Sequence, residues 1–188
     1  MEYLCRFEYT PRIGDWVRYE YAPIESAGEY CYKLREIVNR DPSKFEKLSE
    51  LIQEHPRVII FYKYDYERDD LLNHCRRNHP TIPLAEWNGH KHQELPTSEY
   101  WIYIVQYTAG CEGWNCVTTD TIIFFSQDYS YKVMIQASGR IDRMTTTYHD
   151  LNYYHFISRS SIDSAIVKAL QAKKKFNEGS FSNKFKNA

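Results

Sequence analysis

The sequence is poor in glycine and proline and has no long apolar run. It contains seven residues of each type among 188, while 16% of its residues are aromatic. These proportions exclude low-complexity, fibrous and disordered chains. Its apolar stretches, such as residues 58–62 and 122–125, have the length of strands and fall far short of the roughly 18 residues of a membrane span. The N-terminus has no basic region followed by an apolar stretch, so we expect a cytoplasmic protein without a membrane partner.

Cysteine and net charge are also limited. The five cysteines are odd in number and form no CxxC pair, which indicates free thiols in a reducing compartment. The formal net charge of −1 argues against a strong stand-alone nucleic-acid binder, since such domains are basic. Residues 168–186 are the exception, because six lysines stand there against Glu178 alone. That run is either a solvated helix end or a tail that faces phosphate.

Helix and strand patterns alternate along the chain. Three helix starts are marked by capping residues, at Ser26 with Glu29, at Asp41-Pro42 and at Ser160 with Asp163. The first helix has its apolar stripe at Tyr30, Leu34 and Ile37/Val38. Buried strands are predicted at 58–62, 82–87, 101–107, 121–125 and 153–157, with helices between them around 71–75 and 131–141. This alternation predicts an α/β fold with a mostly parallel sheet and helices on both faces.

Parallel sheets bind ligands at the carboxyl ends of their strands, so we expect the functional residues directly after the strands. After 101–107 comes a loop with two glycines, Gly110 and Gly113, which allow the backbone to approach a ligand or to adopt positive φ. Thr108 could donate a hydrogen bond to a phosphate, and Asn115 could bond a sugar or an arginine. The same loop could also be a plain tight connection.

The helix predicted after 121–125 carries Arg140 and Arg143, three positions apart and therefore on one face. Gly139 lies in the middle of this predicted helix, where it indicates close packing or the close approach of another group. Two fixed guanidiniums suit a phosphate chain. The alternative is a structural pair bridged to Asp142 or other acidic neighbours.

In combination, these strings resemble the second RecA-like motor domain of superfamily 2 helicases and translocases, over roughly residues 56–172. Residues 58–64 are similar to motif IV of that family. The loop Ala-Gly-Cys-Glu-Gly-Trp-Asn at 109–115 is similar to motif V, and Gln-Ala-Ser-Gly-Arg-Ile-Asp-Arg at 136–143 is similar to motif VI. The residues of these two strings resemble those of chromatin-remodelling and restriction-enzyme-type motors more than those of DEAD-box proteins. The nearest resemblance is to phage-encoded helicases of the DEAD/DEAH type. A phage-encoded protein would act in the bacterial host cell.

The resemblance implies roles for individual residues in motif VI. Arg143 is expected to be the arginine finger that neutralises charge on the transferred phosphoryl group, with Arg140 on the γ-phosphate beside it. Gln136 is expected to couple that contact to the partner lobe, and Gly139 to lie close to the nucleotide.

Motifs IV and V have implied roles as well. Gly113 and Asn115 would bridge the nucleotide and nucleic-acid sites. Contacts with the backbone of the tracked strand, DNA or alternatively RNA, would come from Thr108, Tyr62, Lys63 and Tyr64. Motif V often begins with Thr or Ser where this chain has Tyr107, and Thr108 is one residue further along.

The sequence contains no GxxxxGK[ST] loop and no strand-ending Asp-Glu pair. ATP with Mg²⁺ should therefore be held mainly by a first RecA-like lobe, the expected partner, and the chain alone should not hydrolyse ATP.

The domains expected are an N-terminal arm with helices over 1–55, the lobe over 56–175 and a flexible basic tail over 176–188. Two alternatives remain: a non-catalytic module that binds nucleic acid or a partner protein, and an unrelated α/β domain. No metal site is expected, because His74, Cys75 and His79 match no common zinc spacing.

Overall fold

A computed structural model describes residues 6–10, 15–19, 24–110 and 114–186 of the chain. Within these ranges the chain forms seven strands and seven helices. In chain order they are β1 Arg6–Thr10, β2 Asp15–Tyr19, α1 Ala27–Asn39, α2 Pro42–Glu54, β3 Arg57–Tyr62, α3 Asp65–Asn78, β4 Leu84–Trp87, β5 Trp101–Gln106, α4 Tyr107–Gly110, β6 Thr121–Phe124, α5 Tyr131–Ser138, β7 Asn152–His155, α6 Ser161–Gln171 and α7 Glu178–Lys186.

The central sheet has five strands in the spatial order β4-β5-β3-β6-β7, and all four pairings are parallel. In the middle strand, Ile59 pairs with Tyr103 on one side and with Ile122 on the other. The predicted α/β fold with a parallel sheet is confirmed. Strands β1 and β2 form a separate antiparallel pair.

The sheet is buried on both faces. Val58, Ile60 and Tyr62 of β3 point into a core that also contains Leu48 of α2 and Leu71 of α3. The alternate residues of β3, Ile59 and Phe61, point to the opposite face, where they pack with Tyr103 of β5, Phe124 of β6, and Met134 and Ala137 of α5. Since successive strand side chains alternate between faces, one apolar run supplies both cores. Helix α2 belongs to the first core, so the expected boundary at residue 55 does not separate two packing units.

The three predicted helix starts are observed. Ser26 accepts a hydrogen bond from the Glu29 amide at 3.0 Å, and Asp41 accepts one from Ser43 at 2.9 Å. Ser160 accepts one from Asp163 at 3.2 Å. The Ser26 motif differs from a full capping box, because the Glu29 carboxylate accepts from the Glu25 amide instead of the Ser26 amide.

Helix α5 is shorter than predicted. It ends at Ser138, and Gly139 is its C-cap with φ −68°, not a mid-helix residue. A β-carbon on Gly139 would meet only carbonyl oxygens at 3.5 Å and 3.7 Å, which is ordinary contact. Arg140 and Arg143 therefore lie in the turn and loop beyond the helix and do not share a helix face.

The segment expected as a flexible tail contains helix α7. Phe176 and Phe181 are 6% and 5% exposed and pack with Tyr129, Ile162 and Cys31 in a third apolar cluster. The amide of Phe176 also donates to the Tyr129 carbonyl at 2.9 Å. A flexible basic tail was expected over 176–188, but these aromatic residues anchor the described part of that segment to the fold.

Candidate nucleotide and nucleic-acid site

The segment that resembles motif V, called the motif V segment below, begins at the carboxyl end of β5. Thr108 is exposed within the single turn α4, and Asn115 is exposed beyond it, so both are available to a ligand. Gly113 lies outside the described residues, together with Cys111 and Glu112. Of the glycines in this segment, Gly110 has a structural explanation.

Gly110 is required by packing. A β-carbon there would lie 2.6 Å from Val105 Cγ1 and 2.9 Å from Phe61 Cε1, both side chains of the buried sheet. These separations are closer than van der Waals contact allows, so no side chain fits unless the core moves. The glycine lets α4 lie directly against β3 and β5.

Trp114 holds the end of the motif V segment on the sheet. Its ring stacks on Phe61 with centroids 6.5 Å apart and meets Tyr103 edge-on at 5.5 Å. Cys116, two residues further along, is 1% exposed. The loop therefore has a fixed base, while Asn115 points outward.

Arg140 is a buried residue and is bonded to this loop. Its side chain is 7% exposed, and its Nη1 donates to the Trp114 carbonyl at 2.8 Å. The Arg140 carbonyl in turn accepts from the Cys116 amide at 3.0 Å. The expected γ-phosphate contact of Arg140 is therefore not presented by the structure, because its guanidinium is packed against the motif V backbone.

Arg143 has a different environment. It is half-buried in the loop after α5, and its Nε is enclosed without a hydrogen-bond partner. Within the described ranges, none of the ion pairs involves Arg143. Gln136 is exposed on α5. A guanidinium without an ion-pair partner in these ranges suits an anionic ligand.

The three residues expected to contact nucleic acid after β3 differ in accessibility. Tyr62 is fully buried and belongs to the core, so its predicted backbone contact is corrected. Lys63 is 21% exposed at its side chain and pairs with Asp128 at 2.5 Å. Tyr64 is half-buried and donates to the Tyr129 hydroxyl at 3.0 Å, and burial raises its pKa to about 12.

A buried hydrogen-bond network holds the end of β3 in place. The side chain of the fully buried Glu67 accepts three hydrogen bonds. The donors are the backbone amide of Lys63 at 2.7 Å, the Ser126 hydroxyl at 2.8 Å and the side-chain amide of Asn39 at 2.7 Å. These bonds join α1, β3, α3 and the end of β6. Because the network satisfies the buried carboxylate, it makes the carboxyl edge of the sheet rigid.

Arg35 completes the network from α1. It is fully buried, donates to the Gln127 carbonyl at 3.1 Å, and lies 6.0 Å and 5.8 Å from the ring centroids of Tyr64 and Tyr129. Burial acts to lower the pKa of Arg35, but the carboxylates of Glu67 and Asp163 raise it above its ordinary value.

The sequence patterns singled out neither Glu67 nor Arg35 as a functional or buried residue. The predicted stripe on α1 is also rotated, since Cys31, Arg35 and Asn39 are buried while Ile37 is 72% exposed. One signal was available for Glu67, which lies four residues before Leu71 and therefore on the apolar face of its helix.

His74 and His79 both contact the Ser49 hydroxyl, at 2.8 Å and 3.2 Å. Burial lowers the pKa of each imidazole. In the ranges that the structure describes, no group of three or more His, Cys, Asp or Glu side chains is arranged to hold a metal ion. No helix of that part is both long and apolar enough to cross a bilayer.

Comparison with known proteins gives a consistent set of relatives, although no protein-family model matches the chain. Lymphoid-specific helicase of Homo sapiens is 25% identical over 155 residues, which are 77% of this chain and 18% of that protein. The ISWI chromatin-remodeling complex ATPase ISW2 of Saccharomyces cerevisiae is 26% identical over 131 residues, 64% of this chain and 11% of the relative. Chromatin-remodeling ATPase INO80 of Emericella nidulans is 26% identical over 166 residues, which are 79% of this chain and 10% of that protein.

A solved structure shows the same fold. The crystal structure of the C-terminal part of the Fun30 ATPase domain superposes with a TM-score of 0.60 and 22% identity, covering 71% of this chain and 46% of that one. The chain spans less than a fifth of the length of each curated relative above. These relatives are eukaryotic, and they do not support the expected closeness to phage-encoded DEAD/DEAH-type helicases or a bacterial host. The chain is similar to superfamily 2 helicase-like and chromatin-remodelling ATPases, and its parallel α/β sheet has the fold of the C-terminal part of such an ATPase domain.

Proposed function

We propose that the chain is the second motor lobe of an ATP-dependent superfamily 2 translocase or helicase. The single observation that carries this proposal is the uncommitted guanidinium of Arg143 at the end of a Gln-x-x-Gly-Arg-x-x-Arg string. The similarity to helicase-like ATPases and the order of the three motifs support it.

Arg143 is the proposed arginine finger. A guanidinium without an internal carboxylate partner keeps its full charge for an incoming phosphoryl group, and it does not have to break an ion pair first. In related phosphoryl-transfer enzymes such a finger accelerates turnover on the order of 10³–10⁵-fold. Gln136, exposed on the preceding helix, is proposed to contact the first lobe.

The first lobe is proposed to hold ATP and Mg²⁺. This chain offers a cation to the nucleotide, and its sequence contains neither the phosphate cradle nor the strand-ending carboxylates that bind magnesium. When bound, ATP with Mg²⁺ supplies the phosphoryl group and most of the charge in the cleft. Asn115, with Gly113 outside the described residues, is proposed to line the same cleft.

Nucleic acid is proposed to cross the carboxyl edge of β3 and β5. Tyr62 pairs with Gln106 across these strands, so Lys63 and Thr108 follow at the same edge. Thr108 is exposed and Lys63 partly so, and both can donate to phosphate oxygens. The names of the relatives, a helicase and two chromatin-remodelling ATPases, favour DNA over RNA.

The proposal is tested by substituting Arg143 in the motor that joins this chain to its first lobe. Arg143→Ala should lower DNA-stimulated ATP hydrolysis on the order of 10³-fold or more, while the affinity for nucleotide changes little because the first lobe holds it. Arg77→Ala, an exposed arginine on α3, is the matched control and should retain full activity. Turnover at the wild-type level in Arg143→Ala would show that the finger assignment is wrong.

The second candidate is a non-catalytic module that binds nucleic acid or a partner protein. The near-neutral charge of the chain disfavours this candidate. A module should bind nucleic acid by itself with an affinity that falls with salt, whereas a lobe should bind weakly alone.

A further inference from the structure

Arg140 joins the two motifs of the candidate site. We infer that Arg140 is a positioning residue for Arg143: it ties the loop that carries Arg143 to the motif V backbone and does not itself bind phosphate. The inference rests on the proposed function for its kinetic consequence, whereas the tie between the two segments stands on this chain alone.

The tie includes two hydrogen bonds that run in opposite directions. The guanidinium donates to the Trp114 carbonyl at 2.8 Å, and the Arg140 carbonyl accepts from the Cys116 amide at 3.0 Å. Both bonds lie in a buried setting, since Arg140 and Cys116 are 7% and 1% exposed. A hydrogen bond from a charged donor in such a setting is costly to break.

The backbone on either side of Arg143 is also fixed. Ile141 is fully buried in the second core, one residue after Arg140. On the other side, the Arg143 carbonyl accepts from the Thr146 amide at 3.0 Å. Arg143 is thus held between an anchored turn and a closed turn, while its side chain keeps no ion pair within the described ranges.

The burial of Arg140 explains why it does not act on phosphate directly. Turning its guanidinium outward would break the bond to Trp114 and leave that carbonyl without this donor. The Trp114 ring, stacked on Phe61 and Tyr103, holds the carbonyl in place. A shift of the motif V loop therefore moves Arg140, and with it the start of the Arg143 loop.

Amide hydrogen exchange on this chain without nucleotide tests the tie. Arg140→Ala should accelerate exchange at the Cys116 and Thr146 amides relative to wild type, and Arg77→Ala should leave both unchanged. Arg140→Lys can still donate one hydrogen bond to the Trp114 carbonyl, so its exchange rates at these amides should lie between those of wild type and Arg140→Ala. This variant keeps the test decisive if Arg140→Ala does not fold. Unchanged exchange at both amides in Arg140→Ala and Arg140→Lys would overturn the inference.

Steady-state kinetics of the joined motor test the positioning role. Because a misplaced catalytic group costs on the order of 10²-fold in rate, Arg140→Ala should lower kcat by about that factor, with KM for ATP and nucleotide affinity unchanged. Weakened nucleotide binding with unchanged kcat would instead assign Arg140 to the phosphate and overturn the inference. If Arg143→Ala keeps full turnover, the proposed function fails, yet the exchange experiment still decides whether the tie exists.

Discussion

At the scale of single residues, two arginines three positions apart have opposite environments. Arg140 is buried and donates from Nη1 to the motif V backbone, whereas Arg143 is half-buried and forms none of the ion pairs found in the described ranges. The difference follows from the end of α5 at Ser138, which turns the two side chains away from a common helix face. The proposed roles of the pair are divided accordingly: Arg140 supports the loop, and Arg143 is the proposed finger.

Gly110 gives a prediction at this scale. Gly110→Ala should destabilise the fold by about 1–3 kcal/mol, because the added methyl group overlaps the buried side chains of Val105 and Phe61. Urea unfolding followed by circular dichroism measures the change. Gly89→Ala is the matched control, since its β-carbon would meet nothing within 4 Å, and it should stay within about 0.5 kcal/mol of wild type. Equal stability of the two variants would contradict the packing role of Gly110.

The end of α5 shows where residue patterns mislead. Gly139 follows the last periodic residues of the helix, and glycine in that place is an ordinary sign of a helix end. The spacing of Met134, Ala137 and Ile141 nevertheless suggested continuation, because Ile141 is buried in the same core after the chain has left the helix. An apolar position can keep its spacing in a turn, so spacing alone did not place Arg140.

At the scale of elements, helix starts and buried strands were predictable because their causes are local. The caps at Ser26, Asp41 and Ser160 each involve residues within three positions, and the β3 run is apolar along nearly its whole length. The orientation of α1 was not predictable. Its buried Arg35 is stabilised by Gln127, 92 residues away, and by carboxylates on two other helices.

Helix α7 gives a prediction at this scale. Phe181→Ala should destabilise the docking of α7 by about 3 kcal/mol, because the ring is 5% exposed and packs 5.6 Å from Phe176 and 6.4 Å from Tyr30, measured between ring centroids. Limited proteolysis with a glutamate-specific protease should then cleave after Glu178 faster than in wild type. Lys184→Ala, exposed on the same helix, is the control. A flexible tail would give identical cleavage in all three proteins.

At the scale of the whole molecule, the central feature is a five-stranded parallel sheet whose carboxyl edge carries a buried polar network. The alternation of strands and helices was sufficient to predict this architecture, since buried parallel strands and crossover helices have distinct patterns. Which residues remain accessible was not predictable from the sequence. Tyr62, for example, follows the same alternation as Val58 and Ile60 and so belongs to the core.

The central claim is that this chain contributes to ATP hydrolysis only together with a first lobe. It is tested most directly by phosphate release from ATP, measured for the pure chain, for the polypeptide that carries the P-loop and the acidic pair, and for the two joined, each with DNA present. We expect no hydrolysis by the chain alone and strong hydrolysis by the joined protein. The Arg143→Ala substitution should remove the hydrolysis by the joined protein. Hydrolysis by the pure chain alone would contradict the central claim.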